Sequence, residues 1–168
     1  FQEKISSGEI VITCEAGPPK GTDIEKMLAE LDKIGSYVDA FNVTDQQSSV
    51  MRVGSLAVSH RINEMGREAI YQLTCRDRNR IALQSDLLSA DVLGLENVLA
   101  LTGDYTTLGD HPQAKPVFDL DSPQLLKVIE GLNAGRDMEG NDLKGTTSLF
   151  PGAAVNPGAE PVESQIYK

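Results

Sequence analysis

The sequence has no tryptophan, and only two of its 168 residues are cysteines. Cys14 and Cys75 each lie within an apolar stretch, without the close spacing of a zinc or redox motif. Their scarcity disfavours a small scaffold stabilised by disulfide bonds. Since free cysteine is one of the most frequently buried residue types, we expect two buried, reduced thiols.

The chain also lacks basic clusters and long apolar runs. Its net charge is −10 at pH 7, so it has no surface of the kind that neutralises nucleic-acid phosphates. No segment approaches the ~20 apolar residues that cross a bilayer. The first residues, FQEKISSGE, lack the basic and apolar regions of a signal peptide. We therefore expect a cytoplasmic protein that binds neither nucleic acid nor membrane.

What the chain does contain is a series of short apolar runs that break abruptly into polar and glycine residues. A buried parallel strand has this pattern where its carboxyl end opens onto a site. The runs predict five strands, at residues 8–16, 37–43, 69–74, 98–101 and 150–155. The first four strands begin near Ile10, Val38, Ile70 and Val98, which is a spacing of 28 to 32 residues.

Apolar residues at helical spacing predict helices between the strands. Four helices are predicted. The first begins at a capping box of Thr22 and Glu25, and the next two cover residues 49–64 and 78–93. The fourth begins at a cap formed by residues 121–124. In the 78–93 helix we expect four residues to face the core, namely Ile81, Ala82, Leu88 and Val92. The residues after Pro157 are typical of the start of another helix.

The regular alternation of strand and helix, with no GxGxxG motif after the first strand, favours an α/β fold of the (β/α)₈ TIM-barrel type over a Rossmann sheet. Only five strands are found, whereas eight close such a barrel of ~250 residues. We therefore expect residues 1–168 to form a single domain containing about the first five β/α units. The edge of the fifth strand would then be unpaired unless another chain covers it.

The carboxyl-terminal tips of barrel strands face one another across the top of the barrel, so their polar residues predict a site. The tip residues are Glu15, Thr44, Asp45, Gln47, Gln72, Thr74, Arg76, Asp77, Thr102, Gly103, Asp104 and Asn156. A metal site is not expected, because His60 and His111 have no partners at ligand spacing.

Five motifs at these tips, in order, are ITCEAGPP, FNVTD, QLTCRDRN, LALTGD and GAAVNP. Together they resemble the methylenetetrahydrofolate reductase family, flavin-dependent (β/α)₈ enzymes of one-carbon metabolism, over about residues 9–163. The resemblance implies reduction of 5,10-methylenetetrahydrofolate to 5-methyltetrahydrofolate. It also implies FAD as cofactor, reduced by NAD(P)H or by an electron-carrying partner subunit.

The resemblance assigns catalytic roles to three residues. Glu15 matches the general acid that protonates folate N5, so that the imidazolidine ring opens to an iminium. Thr44 matches a threonine near the flavin ring and the nicotinamide. Asp104, with Thr102 and Gly103, matches a carboxylate near the flavin and the cationic folate, where a negative charge stabilises the cation and tunes the flavin.

Further positions are assigned to the cofactor by the same resemblance. Gln72 stands where many family members have a flavin-contacting histidine, and an amide can still donate and accept there. The remaining cofactor positions are Asp45, Gln47, Phe118, Asp119 and Val155, of which Phe118 and Asp119 match contacts to the adenosine of FAD.

Other interpretations stay open from the sequence alone. Glu15 is also compatible with a solvated or helix-capping glutamate, Asp104 with a simple turn after a strand, and residues 76–78 with a solvated cluster of salt bridges. The chain could be a non-catalytic half-barrel or assembly subunit that has lost FAD, or a related flavin or pterin barrel. In each case we expect a homo-oligomer or a complex.

Overall fold

The computed structural model of the protein describes residues 1–160 and 162–166. Five parallel strands form one sheet, and each strand pairs with the next one along the chain. The strands are β1 (Thr13–Ala16), β2 (Ala40–Val43), β3 (Ala69–Thr74), β4 (Asn97–Leu101) and β5 (Phe150–Ala153). The helices are α1 (Gln2–Ser6), α2 (Glu25–Ile34), α3 (Ser55–Glu64), α4 (Arg80–Val92), α5 (Ser122–Asn133) and α6 (Glu163–Ile166). Short 3₁₀ turns occur at Gln47–Ser49, Cys75–Asp77 and Thr106–Leu108.

The sequential strand order decides the fold class. A doubly wound Rossmann sheet reverses direction at a switch point, whereas successive strands of a barrel are always neighbours. The order β1-β2-β3-β4-β5, with a helix between each strand and the next, therefore confirms the expected partial (β/α)₈ barrel. All five carboxyl ends emerge at one edge of the sheet because the strands are parallel.

The hydrophobic core lies between one face of the sheet and the helices. In β3, the alternate residues Ala69, Tyr71 and Leu73 belong to this core, as the two-residue period of a strand requires. The helices contribute the buried side chains of Leu28, Leu31, Val58, Ile62, Leu83, Leu87, Leu125 and Ile129. The central strands are therefore held rigidly, and their tips are well placed to carry a site.

Three strands are shorter than predicted, namely the two edge strands β1 and β5 and the inner strand β2. β1 begins at Thr13 instead of residue 8, and the side chain of Ile10 is 84% exposed. β2 begins at Ala40 instead of residue 37, and β5 ends at Ala153 instead of residue 155. An apolar run marks a strand only where a neighbouring strand completes its hydrogen bonds, and β1 and β5 each have a neighbour on one side in the described chain.

Two predicted helix starts are also wrong. The capping box of Thr22 and Glu25 does not form, since α2 begins at Glu25 without a side-chain cap. α3 begins at Ser55 instead of residue 49, because Ser48 and Ser49 have φ of 55° and 57°, which a right-handed helix excludes. The cap of α5 is confirmed: Asp121 accepts a hydrogen bond from the backbone of Gln124, whose side chain bonds back.

The predicted inward face of α4 is wrong. Ile81 is 73% exposed and Val92 is 85% exposed, whereas Leu83, Leu87 and Ala90 are fully buried. The helix has two apolar stripes, and their spacing is equally regular. The stripe of Leu83, Leu87 and Ala90 belongs to the hydrophobic core. The side chain of Asn79 caps the helix by accepting hydrogen bonds from the backbone of its first turn.

The two cysteines have different environments. Cys75 is buried, and this burial raises the pKa of its thiol to about 11. Cys14 is only half-buried because it lies on the edge strand β1, so the prediction of two buried thiols is correct for Cys75 alone. Within residues 1–160 and 162–166, no helix combines the length and apolar character needed to cross a membrane.

Candidate functional site

A cavity of about 410 Å³ lies at the carboxyl ends of the strands, within the size range of small-molecule sites. It brings together eight of the residues to which the resemblance assigns a catalytic or cofactor role, namely Glu15, Thr44, Asp45, Gln47, Gln72, Thr102, Gly103 and Asp104. Thr74 and Arg76, which were predicted as tip residues without a specific role, also line it. Gln46 and Ser122 line it as well and were not predicted, because nothing in their local sequence distinguishes them and each reaches the cavity through the packing of loops.

The two carboxylates predicted to act together, Glu15 and Asp104, line this same cavity from the first and fourth strands. Glu15 is exposed at its surface, and its Oε1 accepts a hydrogen bond of 3.3 Å from the Nε2 amide of Gln47. The side chain of Asp104 is also exposed. Both carboxylates can therefore reach a molecule bound between them.

Thr44 and Gln72 line the inner part of the cavity. Thr44 is buried, and among the described residues its Oγ1 hydroxyl has no hydrogen-bond partner. Gln72 is nearly buried, and its amide donates to Oδ1 of Asn42 at 3.0 Å. A buried hydroxyl without a partner costs free energy, so a ligand that bonds to Thr44 would recover it.

Asp45 lines the cavity, but its carboxylate is already engaged. Oδ2 accepts hydrogen bonds from the backbone N–H of Thr74 at 3.0 Å and from Nη1 of Arg78 at 2.6 Å. Burial opposes the charge on Arg78, but Asp45 more than compensates and raises the pKa of the guanidinium. This carboxylate therefore holds the loops after β2 and β3 together.

Thr102 and Gly103 shape the loop after β4. The Thr102 hydroxyl accepts a hydrogen bond from the backbone N–H of Ser122 at 3.1 Å, which attaches the start of α5 to this strand tip. Gly103 has φ of 100°, a conformation that favours glycine. A Cβ at Gly103 would lie 2.4 Å from Cγ2 of Thr74, so a larger residue cannot fit without a shift.

Three predicted cofactor residues lie outside the cavity. Both carboxylate oxygens of Asp119 accept hydrogen bonds from Arg80, and this pairing lowers the pKa of Asp119 to about 2. The ring of Phe118 packs edge-on against Tyr105, with a centroid separation of 6.3 Å. Val155 is exposed beyond the end of β5. Their assignment to the cofactor stays a prediction.

The cations near the cavity are paired with carboxylates. Arg76 pairs with Asp77 and Arg78 with Asp45. The interpretation of residues 76–78 as a solvated cluster is wrong for Arg76, which is 2% exposed. A second cavity of about 460 Å³ shares Gln46 and Arg76 with the first. In the described part of the chain, no group of three or more His, Cys, Asp and Glu side chains is arranged to hold a metal ion.

Comparison with known protein families agrees with the motifs at the strand tips. The family model described as methylenetetrahydrofolate reductase matches residues 1–167. The matched span includes all five strands and every residue that lines the cavity.

Proposed function

Because this chain belongs to the methylenetetrahydrofolate reductase family, we propose that it reduces 5,10-methylenetetrahydrofolate to 5-methyltetrahydrofolate as an FAD-dependent flavoprotein. Membership of the family makes it an oxidoreductase of folate metabolism. The observation that carries the finer proposal is the shared cavity of Glu15 and Asp104. NAD(P)H or an electron-carrying partner subunit would supply the electrons.

The residues around the cavity fit the ring system of a flavin. The unpartnered hydroxyl of buried Thr44 offers a hydrogen bond to a ring edge, and Gln72 adds an amide nearby. Gly103 has no side chain, which lets the loop after β4 pack directly against Thr74 and Arg76 at the edge of the cavity. When bound, FAD would supply the hydride, and the protein would bind and orient the ring.

Glu15 is proposed as the general acid that opens the imidazolidine ring, with N10 and not the expected N5 as the atom that it protonates. A general acid must lie within hydrogen-bond reach of the atom it protonates. The position of Glu15 supports this role, because its exposed carboxylate lines the cavity and accepts a hydrogen bond from Gln47. In 5-methyltetrahydrofolate the one-carbon unit stays on N5, so the bond that must break is the one between this carbon and N10. Protonation of N10 would open the imidazolidine ring and leave a cationic iminium at N5.

Asp104 is proposed to stabilise this cation. A carboxylate placed beforehand at the position where positive charge develops lowers the barrier without needing to reorganise. The loop that carries Asp104 is held at several points, since its backbone carbonyl accepts hydrogen bonds from Ser49 and Arg76. We expect the carboxylate to remain close to the folate ring throughout the reaction.

One observation favours the alternative of a non-catalytic half-barrel or assembly subunit. Arg76 and Arg78 beside the two cavities are already paired with carboxylates, so neither is available to the diphosphate of FAD. Absorbance of the purified protein near ~450 nm separates the two proposals, because bound oxidised flavin absorbs there. A colourless protein that does not bind added FAD would support the non-catalytic alternative.

The catalytic proposal is tested by Glu15→Gln in the flavin-loaded protein. We expect folate reduction to fall roughly 10²- to 10⁴-fold, the usual contribution of a general acid, while reduction of the flavin by its electron donor is retained. The matched control is Glu30→Gln, since Glu30 is exposed on α2, away from the cavity. Unchanged folate reduction in Glu15→Gln would remove Glu15 from the mechanism.

A further inference from the structure

Arg76 is a buried arginine to which the proposed chemistry gives no role. It follows β3 in the turn Cys75–Asp77, and only 2% of its surface is exposed. Burial of a guanidinium is costly unless its charge is neutralised and its N–H groups are bonded. The groups around Arg76 must therefore neutralise its charge and accept hydrogen bonds from its N–H groups.

Asp77 supplies the neutralising charge. Nε of Arg76 donates to Oδ1 of Asp77 at 2.9 Å, and Nη2 donates to Oδ2 at 2.6 Å. This two-point geometry matches the planar fork of a guanidinium to a carboxylate. It fixes the orientation of the guanidinium, so that its remaining N–H groups point in defined directions.

Those remaining groups reach the two neighbouring loops. Nη1 of Arg76 donates to the backbone carbonyl of Asp104 at 3.4 Å, and Nη2 donates to the backbone carbonyl of Gln46 at 3.3 Å. A single side chain after β3 thus joins the loop after β2 to the loop after β4. A lysine has one ammonium instead of a fork, and it cannot reproduce this set of contacts.

Both anchored carbonyls belong to segments that carry the proposed site. Gln46 lies between Thr44 and Gln47 and has φ of 50°, which non-glycine residues adopt only when their surroundings impose it. On the other side, a Cβ at Gly103 would lie 3.0 Å from Cβ of Arg76, so this loop packs directly on the arginine.

We propose that Arg76 is a positioning residue, which sets the position of the Asp104 carboxylate by holding the backbone at Asp104 and Gln46. Because Asp77 neutralises the guanidinium, Arg76 does this without offsetting the negative charge of Asp104. The inference rests on the proposed function, since it requires Asp104 to act on the cationic folate.

The test is a double-mutant cycle in the flavin-loaded protein, with Arg76→Met, Asp104→Asn and the two combined. We expect Arg76→Met to lower kcat for folate reduction roughly 10- to 100-fold, as small misplacements do, with a smaller change in KM. If Arg76 acts through Asp104, adding Arg76→Met to Asp104→Asn lowers kcat by no more than about twofold. A purely structural role would make the two losses multiply.

Two further variants show whether the loss of kcat comes from the lost hydrogen bonds of Arg76, from its lost charge, or from the removal of any arginine. Arg76→Lys keeps a positive charge beside Asp77, and we expect its kcat to fall as much as that of Arg76→Met. If Arg76→Met does not fold, Arg76→Lys replaces it in the double-mutant cycle. The control Arg61→Met removes an exposed arginine of α3 and should leave kcat unchanged.

The outcomes distinguish the two proposals. Multiplied losses in the double variant, or wild-type kcat in Arg76→Lys, would overturn the positioning role alone. Turnover unchanged by Asp104→Asn by itself would overturn the proposed role of that carboxylate, and the inference about Arg76 with it.

Discussion

Gly103 shows how little space the loop after β4 leaves for a side chain. Its φ of 100° is one that residues with a Cβ avoid, and Thr74 and Arg76 both lie close to where a Cβ would be. Neighbouring residues divide into two groups. Thr102 and Asp45 bond to the protein and hold the loops, whereas Glu15 and Asp104 expose their carboxylates at the cavity.

Substitution of Gly103 by alanine should reduce both stability and turnover. We expect Gly103→Ala to lower the free energy of unfolding by about 1–3 kcal/mol, because strain and the close contact with Thr74 act together. The control is Gly140→Ala, where φ is also positive, at 84°, but no atom lies within 4 Å of the added Cβ. Urea unfolding of the two variants measures the difference, and equal losses would contradict the steric explanation.

The ion pair of Asp119 with Arg80 predicts a defined acid dependence. The hydrogen bonds from Arg80 lower the pKa of Asp119 to about 2 in the folded protein, against about 3.9 in an unfolded chain. Because the folded pKa is the lower one, the stabilisation is fully present above about pH 4–5 and is lost as the pH falls towards 2.

Thermal unfolding between pH 6 and pH 2 tests this dependence. We expect Asp119→Asn to lower Tm at pH 6 and to lose less Tm than the wild type as the pH falls. The matched control is Asp142→Asn, since Asp142 is exposed and its nearest contact with Arg136 is 3.7 Å. Parallel curves for Asp119→Asn and the wild type would show that the pair does not stabilise the folded state.

At the scale of elements, the start of α5 is the best-defined helix terminus near the cavity. Asp121 and Gln124 bond reciprocally, and Thr102 at the end of β4 accepts the backbone N–H of Ser122. The start of α2 looks similar in sequence but has no side-chain cap. The start of α5 is therefore attached to the end of β4, beside the loop that carries Asp104.

Removal of each sequence-predicted cap should have different effects. We expect Asp121→Ala to lower the free energy of unfolding by about 1 kcal/mol, the usual value of a lost helix cap. Thr22→Ala should change it by less than about 0.5 kcal/mol, because Thr22 is exposed and does not cap α2. Urea unfolding measures both. Equal losses would show that Thr22 does cap α2 in solution.

At the scale of the whole molecule, the sheet has two strands with an unpaired side. In the described chain, β1 pairs only with β2, and β5 pairs only with β4. Unpaired edges offer backbone N–H and C=O groups to other chains, and a closed barrel has no such edges. Another copy or a partner chain that covers them would fit the oligomer or complex we propose.

The 168-residue chain on its own should therefore associate. We expect sedimentation velocity at micromolar concentration to show species larger than the 18.1 kDa monomer. Ala153→Lys should reduce this association, since Ala153 is exposed on β5 and a charged residue on an edge strand discourages pairing. Ala29→Lys, on the exposed side of α2, is the control. A monomer at all concentrations would contradict the expectation.

The sequence by itself determined the alternation of strands and helices, the bounds of β3, the cap of α5 and the motifs that show the family. These features depend on local signals, such as an apolar run that ends in polar residues or the reciprocal bonds of Asp121 and Gln124. Only the tertiary structure decided the buried stripe of α4 and the left-handed backbone at Gln46, Ser48 and Ser49.

In the candidate site, too, some features could be predicted from the sequence and others were decided only by the tertiary structure. Ten predicted tip residues reach one cavity because parallel strands place their tips together, which the spacing of the strands already indicates. Contacts between residues far apart in the chain bury Arg76 and bond it to two loops. Such contacts also place Asp119 outside the cavity. Such contacts depend on packing and not on local preference, so only the folded chain reveals them.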